Sequence, residues 1–260
     1  MEKIKSIFKN KVLILDGAMG TMVQSYNLSE NDFRGERFKD HQNDLKGNNE
    51  VLSLTRPDVI SAIHRSYLEA GADIIETNTF SANSISQEDY SLENVVYDLN
   101  KISAEIAKSE AKNFTDFPRF VAGAIGPTNR TASLSPDVNN PGFRNINFDM
   151  LKESYAEQVR GLYDGGVDIF LIETVFDTLN CKAALFAVSD LLDSEKVDIP
   201  VMISGTITDA SGRTLSGQTV EAFLHSISHV KPIAIGLNCA LGVSQMRPWL
   251  SDLSKASSTY

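Results

Sequence analysis

Four chemically capable side chains in this 260-residue sequence directly follow short apolar runs: Asp16, Glu76, Glu173 and Cys239, the last preceded by Asn238. A carboxylate ending a parallel strand points to the face where strand ends gather, and several on one face suit a small cationic or zwitterionic ligand. Taken singly, each reads equally as a loop cap or an arginine partner. Asp16-Gly17-Ala18-Met19-Gly20-Thr21 is a glycine-bearing turn whose amides can cradle an anion. It lacks the Gly-Lys-Ser/Thr ending of a phosphate loop, so a carboxylate is the better guest. A tight turn needing glycine dihedrals explains the same pattern. Cys239 has no Cys or His neighbour in sequence and stays open between zinc ligand, nucleophile and quiet thiol. Cys181 falls in a helical stretch and reads as packed. His64, His225 and His229 fall on helical patterns, the last two spaced to share one helix face, but no H-E-x-x-H signature accompanies them. His41 lies in the long first loop.

The elements that must position these residues alternate. Near-continuous apolar runs at 12–15, 73–76, 120–124, 168–173, 201–204 and 233–238 predict parallel strands buried on both faces. Helical periodicity follows at 57–70, 92–112, 148–163, 179–192, 219–228 and 243–254. Helix-to-strand connections are short, whereas strand-to-helix connections are long, at about 17–56, 125–147 and 205–217. That asymmetry places function at the strand C-termini, as in a β/α barrel or an open doubly wound sheet. No G-x-G-x-x-G fingerprint supports a dinucleotide. Gly71-Ala72-Asp73-Ile74-Ile75-Glu76-Thr77 is echoed by Gly166-Val167-Asp168 running on to Glu173-Thr174, and repeated β/α units favour the barrel. The expected class is α/β, a (β/α)8 TIM-type barrel forming one domain over residues 1–260. About six of its eight units are present, so strands seven and eight are expected to lie beyond a C-terminal truncation.

Composition narrows the function classes. Lys+Arg 24 against Asp+Glu 34 gives a net charge of −10, which argues against a phosphate-tracking nucleic-acid partner. The apolar runs are far shorter than the roughly 20 residues of a membrane helix. The start of the chain lacks a signal-peptide pattern, so no membrane association is expected. Two cysteines suit a reducing compartment and a cytoplasmic location.

Several motifs together resemble the homocysteine S-methyltransferase family. They are Leu15-Asp16-Gly17-Ala18-Met19-Gly20-Thr21, Glu76-Thr77-Asn78-Thr79-Phe80, Gly126-Pro127-Thr128-Asn129-Arg130, Glu173-Thr174-Val175-Phe176-Asp177 and Gly236-Leu237-Asn238-Cys239. The likeness runs over essentially the whole chain. Phe33-Arg34-Gly35-Glu36-Arg37-Phe38, Asp44-Leu45-Lys46-Gly47-Asn48-Asn49 and Ile203-Ser204-Gly205-Thr206-Ile207-Thr208-Asp209 are similar to the branch fed by cobalamin, the homocysteine-binding modules of methionine synthases. The resemblance implies zinc-dependent activation of the homocysteine thiol and methyl transfer from methylcobalamin to give methionine. Methylcobalamin and methyltetrahydrofolate would sit on other modules of a longer polypeptide. It implies Asp16, Glu173 and the amides of Ala18 and Met19 at the amino-acid end of the substrate. It implies Cys239 as the first of three zinc thiolates. The adjacent cysteine pair that supplies the other two in the family is absent from this sequence, so the isolated chain is expected to be inactive. The long first loop and the loop at 128–147 would be docking surfaces for the cobalamin module.

Three other readings stand beside this one. A relative using another methyl donor, such as betaine or S-methylmethionine, would share most of these motifs. A lyase or aldolase would want a lysine at a strand end for a Schiff base, and none stands there. A non-catalytic binding fragment would keep the amino-acid contacts alone.

Overall fold

The computed structural model describes residues 2–260. In chain order its helices are α1 (Glu2–Phe8), α2 (Met19–Ser25), α3 (Glu30–Arg34), α4 (Leu52–Thr55), α5 (Pro57–Glu69), α6 (Ser84–Gln87), α7 (Val96–Ala111), α8 (Phe148–Asp164), α9 (Thr178–Glu195), α10 (Val220–Ile227) and α11 (Val243–Ala256). The strands are β1 (Ile74–Glu76), β2 (Phe120–Ile125), β3 (Ile169–Val175), β4 (Val201–Gly205) and β5 (Ala234–Leu237). The chain divides into two compact units. The N-terminal unit is Ile7–Ala124 with Glu157–Ile169, and the C-terminal unit is residues 2–6 with Ile125–Ala156 and Phe170–Tyr260.

In the N-terminal unit β1 and β2 pair in parallel, Ile74 opposite Phe120 and Glu76 opposite Ala122. The expected strand at 12–15 is reduced to one bridge, Leu15 to Ile74. The Ile14 carbonyl accepts the Asp73 and Ile74 N–H groups, but two or three bonds at one flank do not make a ladder. The side chains of Val12 and Ile14 are 87% and 57% exposed, so apolar composition alone does not bury this segment.

The stretch after it is not an open loop. It folds into α2, α3 and α4 around a core of Val23, Phe33, Leu45, Val51 and Leu52, packed with Val59, Ile60 and Ile63 of α5. Ser29 caps α3 and Asp32 returns the bond to the Ser29 N–H, a capping box. Pro57 opens α5, where its missing N–H costs nothing.

The internal sequence echo has a structural cause. Asp73 and Asp168 each stand just before a strand and grip the extended segment beside it, the stretch at Ile14 for Asp73 and β2 for Asp168. The Asp73 carboxylate accepts the Ile14 N–H at 3.0 Å while its own N–H donates to the Ile14 carbonyl at 2.8 Å. Asp168 does the same to Val121, at 2.8 Å in both directions. A lysine neutralises each, Lys11 for Asp73 and Lys108 for Asp168.

The C-terminal unit holds β3, β4 and β5, all parallel. Its core includes Phe170, Leu171, Ile203 and Phe223, with Ile207, Val220, Leu224 and Leu253 beneath α10 and α11. His225 and His229 do not share a helix. The α-helix ends at Ile227, and His229 sits in the 3-10 turn Ser228–Val230.

Helix packing in the N-terminal unit depends on two glycines. A Cβ on Gly161 would lie 2.7 Å from the Tyr97 carbonyl and 2.8 Å from the Asn100 Cβ; one on Gly165 would lie 2.5 Å from the Ala104 Cβ. Backbone cannot yield as a flexible side-chain tip would. Gly161→Ala should therefore destabilise the chain by about 1–3 kcal/mol despite alanine's better helix propensity. Gly142→Ala, with nothing within 4 Å of the added atom, should stay within about 0.5 kcal/mol. Urea denaturation midpoints of the two variants test the difference.

Candidate active site

The residues singled out in the sequence fall in both units. In the N-terminal unit, Asp16 leaves the Leu15 bridge and its N–H donates to the Ile74 carbonyl at 2.9 Å. Its Oδ2 then accepts the Glu76 N–H at 3.0 Å, so Asp16 finishes the ladder at the end of β1 with its side chain. The other oxygen, Oδ1, is buried with no hydrogen-bond partner. Asp16 and Glu76, both half-buried, are thus brought together at the end of β1. Burial pushes Asp16 well above the usual carboxylate range, and the neighbouring charge of Glu76 pushes it further. Burial likewise pushes Glu76 up.

Ala18 precedes α2, and no side chain caps the helix, leaving its first amides to outside acceptors. The Tyr67 hydroxyl donates to the Ala18 carbonyl at 3.3 Å. A Cβ on Gly17 would sit 3.1 Å from that hydroxyl, so glycine at 17 lets the ring lie against the turn. Met19 begins the helix and packs on the apolar cluster beneath it.

The Thr-Asn-Thr that follows Glu76 is structural. Thr77 Oγ1 accepts the Ala124 N–H at 3.0 Å, and Thr79 Oγ1 donates to the Ala124 carbonyl at 2.7 Å. Asn78 donates to the Asn49 carbonyl and to Ser53. These buried hydroxyls and amides tie the exit of β1 to β2 and to the segment before α4.

In the C-terminal unit, Glu173 is half-buried near the end of β3, and Cys239 is exposed just after β5. Cys239 and Ala240 are consecutive left-handed residues, φ 63° and 54°, and Thr174 beside Glu173 is left-handed at 58°. The loop after β2 is anchored to the start of α9. Asp177 caps that helix through the Leu179 N–H and also accepts from the Ser133 hydroxyl at 2.6 Å. Asn180 donates to Thr128 and to the Arg130 carbonyl and accepts the Ala132 N–H. Arg144 gathers the carbonyls of Ala132, Ser133, Pro141 and Phe143. This loop is held by directed bonds rather than by an apolar core.

Among the described residues no three His, Cys, Asp or Glu side chains gather to hold a metal. Cys181 is buried in α9, its thiol pushed by burial up to about 12, so it stays protonated. His64 is buried in α5, held neutral near 4 by burial with both ring nitrogens unbonded, and reads as a core residue. Cys239 thus offers one thiolate where a catalytic zinc takes three protein ligands, and these donors alone do not fit the ion. Among the described residues no helix is long and apolar enough to cross a membrane.

Sequence reasoning placed Asp16, Ala18, Met19, Glu173 and Cys239 next to strand ends; the structure has Glu173 within β3 near its end and Cys239 just after β5, whereas Asp16, Ala18 and Met19 follow a single bridge at Leu15 rather than a strand. It also joins Glu76 to Asp16, which only proximity in space reveals. Thr174 and Ser204 emerge as partners of Asn238, and no composition or spacing signal marks them.

The homocysteine S-methyltransferase family model matches residues 13–260. The chain is similar in fold to the homocysteine methyltransferase MmuM from Escherichia coli. With the metallated form it shares 19% identity at a TM-score of 0.75, over 98% of this chain and 83% of that one. With the oxidised form the values are 19% and 0.76, over 98% and 82%. The apo form gives 17% and 0.70 over the same shares as the oxidised form. At these identities the likeness to solved structures is one of fold, whereas the family model spans nearly the full sequence. This chain belongs to the homocysteine S-methyltransferase family.

Proposed function

We propose that this chain is the homocysteine module of a cobalamin-dependent methionine synthase, presenting the substrate thiol for methylation. The observation that carries the homocysteine reading is the half-buried, hydrogen-bonded Asp16–Glu76 pair beside uncapped α2 amides, within a chain of this family. An α-amino acid needs an anion for its ammonium and donors for its carboxylate. The acid pair supplies the first, and the amides of Ala18 and Met19 supply the second. Glu173 is assigned to the substrate and Cys239 to zinc through the family motifs in which they stand. A free thiol is mostly protonated at neutral pH, and a zinc ion held by Cys239 together with further thiolates, which this chain does not supply, would provide the deprotonation that makes it a nucleophile. The methyl donor is assigned as methylcobalamin on another module, recharged from methyltetrahydrofolate on a third. The strand–helix units are assigned to a TIM-type barrel.

Two neighbouring carboxyls pushed up by desolvation are costly, and such perturbed acids are candidates for a functional site. Their protonation sets the pH dependence. A carboxyl raised in the folded state loses stability as pH rises from the ordinary carboxylate range through the folded value. Asp16→Asn should therefore melt higher than the unaltered chain above neutral pH, with the gap closing toward about pH 4. The same raised carboxyls must ionise to hold an ammonium, so homocysteine should bind more tightly at pH 8 than at pH 6. Asp16→Asn should weaken binding at pH 8 by about tenfold or more. Calorimetric titration with homocysteine tests this, and an affinity indifferent to both pH and the substitution would overturn the assignment.

With a single thiolate donor, the 260-residue chain should retain zinc well below one ion per chain after dialysis. Stoichiometric, tightly held zinc measured by atomic absorption would contradict that reading. Methionine formed on supplying methylcobalamin, compared with S-methylmethionine or betaine, distinguishes the donors in a preparation that includes the partner modules.

A further inference from the structure

The end of β3 is distorted where Glu173 stands. Along β3 the register advances three residues from Ile172 to Val175, while β4 advances two, from Ile203 to Gly205. One extra residue is accommodated at Glu173-Thr174, a β-bulge, and Thr174 takes a φ of 58°. A β-branched residue is disfavoured there, and the displaced Thr174 N–H leaves the ladder. Both consequences are met by one side chain from β5's end. Asn238 Oδ1 accepts that N–H at 3.2 Å and the Ser204 hydroxyl at 2.8 Å, and its Nδ2 donates to Thr174 Oγ1 at 2.9 Å. The Asn238 N–H is itself spent on the Gly205 carbonyl at 3.0 Å. The Asn238 side chain therefore links the C-terminal ends of β3, β4 and β5. Cys239 follows it directly in sequence, and its bonding partner Thr174 directly follows Glu173.

We infer that Asn238 is a positioning residue that sets Glu173 and Cys239 together. Its amide pins the bulge that aims the Glu173 carboxylate and starts the left-handed turn that presents the Cys239 thiol. The inference rests on the roles proposed above for those two residues. Both ends of the amide are engaged: the oxygen takes two donors, and the nitrogen donates to the threonine hydroxyl. Thr174→Ser keeps that hydroxyl, whereas Thr174→Val keeps the shape and removes it.

Two readouts on the full 260-residue chain test this. Asn238→Ala should weaken homocysteine binding about tenfold, as expected when a half-buried amide loses its acceptor. Thr174→Val should weaken it less, and Thr174→Ser should behave like the unaltered chain. In a Glu173→Gln background, Asn238→Ala should add little further loss, because it acts through Glu173. Independent, multiplying losses would overturn the inference. The second readout does not involve substrate. Iodoacetamide alkylation of Cys239 at fixed pH, with chelator present, should change at least about threefold in Asn238→Ala, since thiol reactivity follows its microenvironment. Thr174→Ser should leave the rate unchanged. An unaltered rate in Asn238→Ala refutes the positioning role whether or not homocysteine binds. Absence of homocysteine binding by the unaltered chain, with the alkylation shift intact, would instead refute the proposed substrate and leave the positioning of Cys239 standing. Cys181, buried with a protonated thiol, does not compete for the reagent.

Discussion

Every backbone N–H at the end of a buried parallel strand needs an acceptor, and in this chain side-chain oxygens supply it at the decisive places. At the N-terminal ends of strands, Asp73 and Asp168 accept the amides of Ile14 and Val121. At the C-terminal ends, Asp16 accepts the Glu76 amide, Thr77 the Ala124 amide and Asn238 the Thr174 amide. The first group ties the starts of strands to the segments beside them. The second group brings polar side chains to the strand ends where function sits in α/β proteins. One requirement, that no buried donor be left alone, thus organises scaffold and site together.

The same requirement explains why the site strains its surroundings. Asp16 spends one oxygen on backbone and leaves the other buried and unbonded beside Glu76. A protein optimised for stability alone would replace one acid by an amide. Thr174, Cys239 and Ala240 adopt left-handed backbone conformations that glycine would hold at lower cost. These costs sit at the ends of β3 and β5 and beside β1, while the interior strands and helices are conventionally packed. The loop after β2, held by Asp177, Asn180 and Arg144, adds fixed polar bonds where no apolar core is available.

Much of this was legible in the residue pattern. The strands at 120–124, 168–173 and 201–204 and the helices at 57–70, 148–163 and 243–254 appear within a few residues of their expected limits. Long periodic segments announce themselves because burial imposes a repeat over many residues. The segment from 17 to 56 did not, because α3 and α4 span only five and four residues, too few for a period to show. Its one local signal was the capping box of Ser29 and Asp32. The apolar run at 12–15 misled in the other direction, since pairing depends on a neighbouring strand and composition does not record one.

By itself, the sequence determined the α/β class, the family, and the identity of the acids and the thiol that end the strands. Each of those depends on residue type and on spacing along the chain. Only the tertiary structure decided which of them act together. It joined Asp16 to Glu76, sixty residues apart, and gave the two aspartates of the sequence echo one shared role. It also made Asn238, Thr174 and Ser204 a single bonded unit. The physical reason is that hydrogen bonds act over about 3 Å and charge coupling over several ångströms more, and chain position does not encode such proximity until the strands have paired.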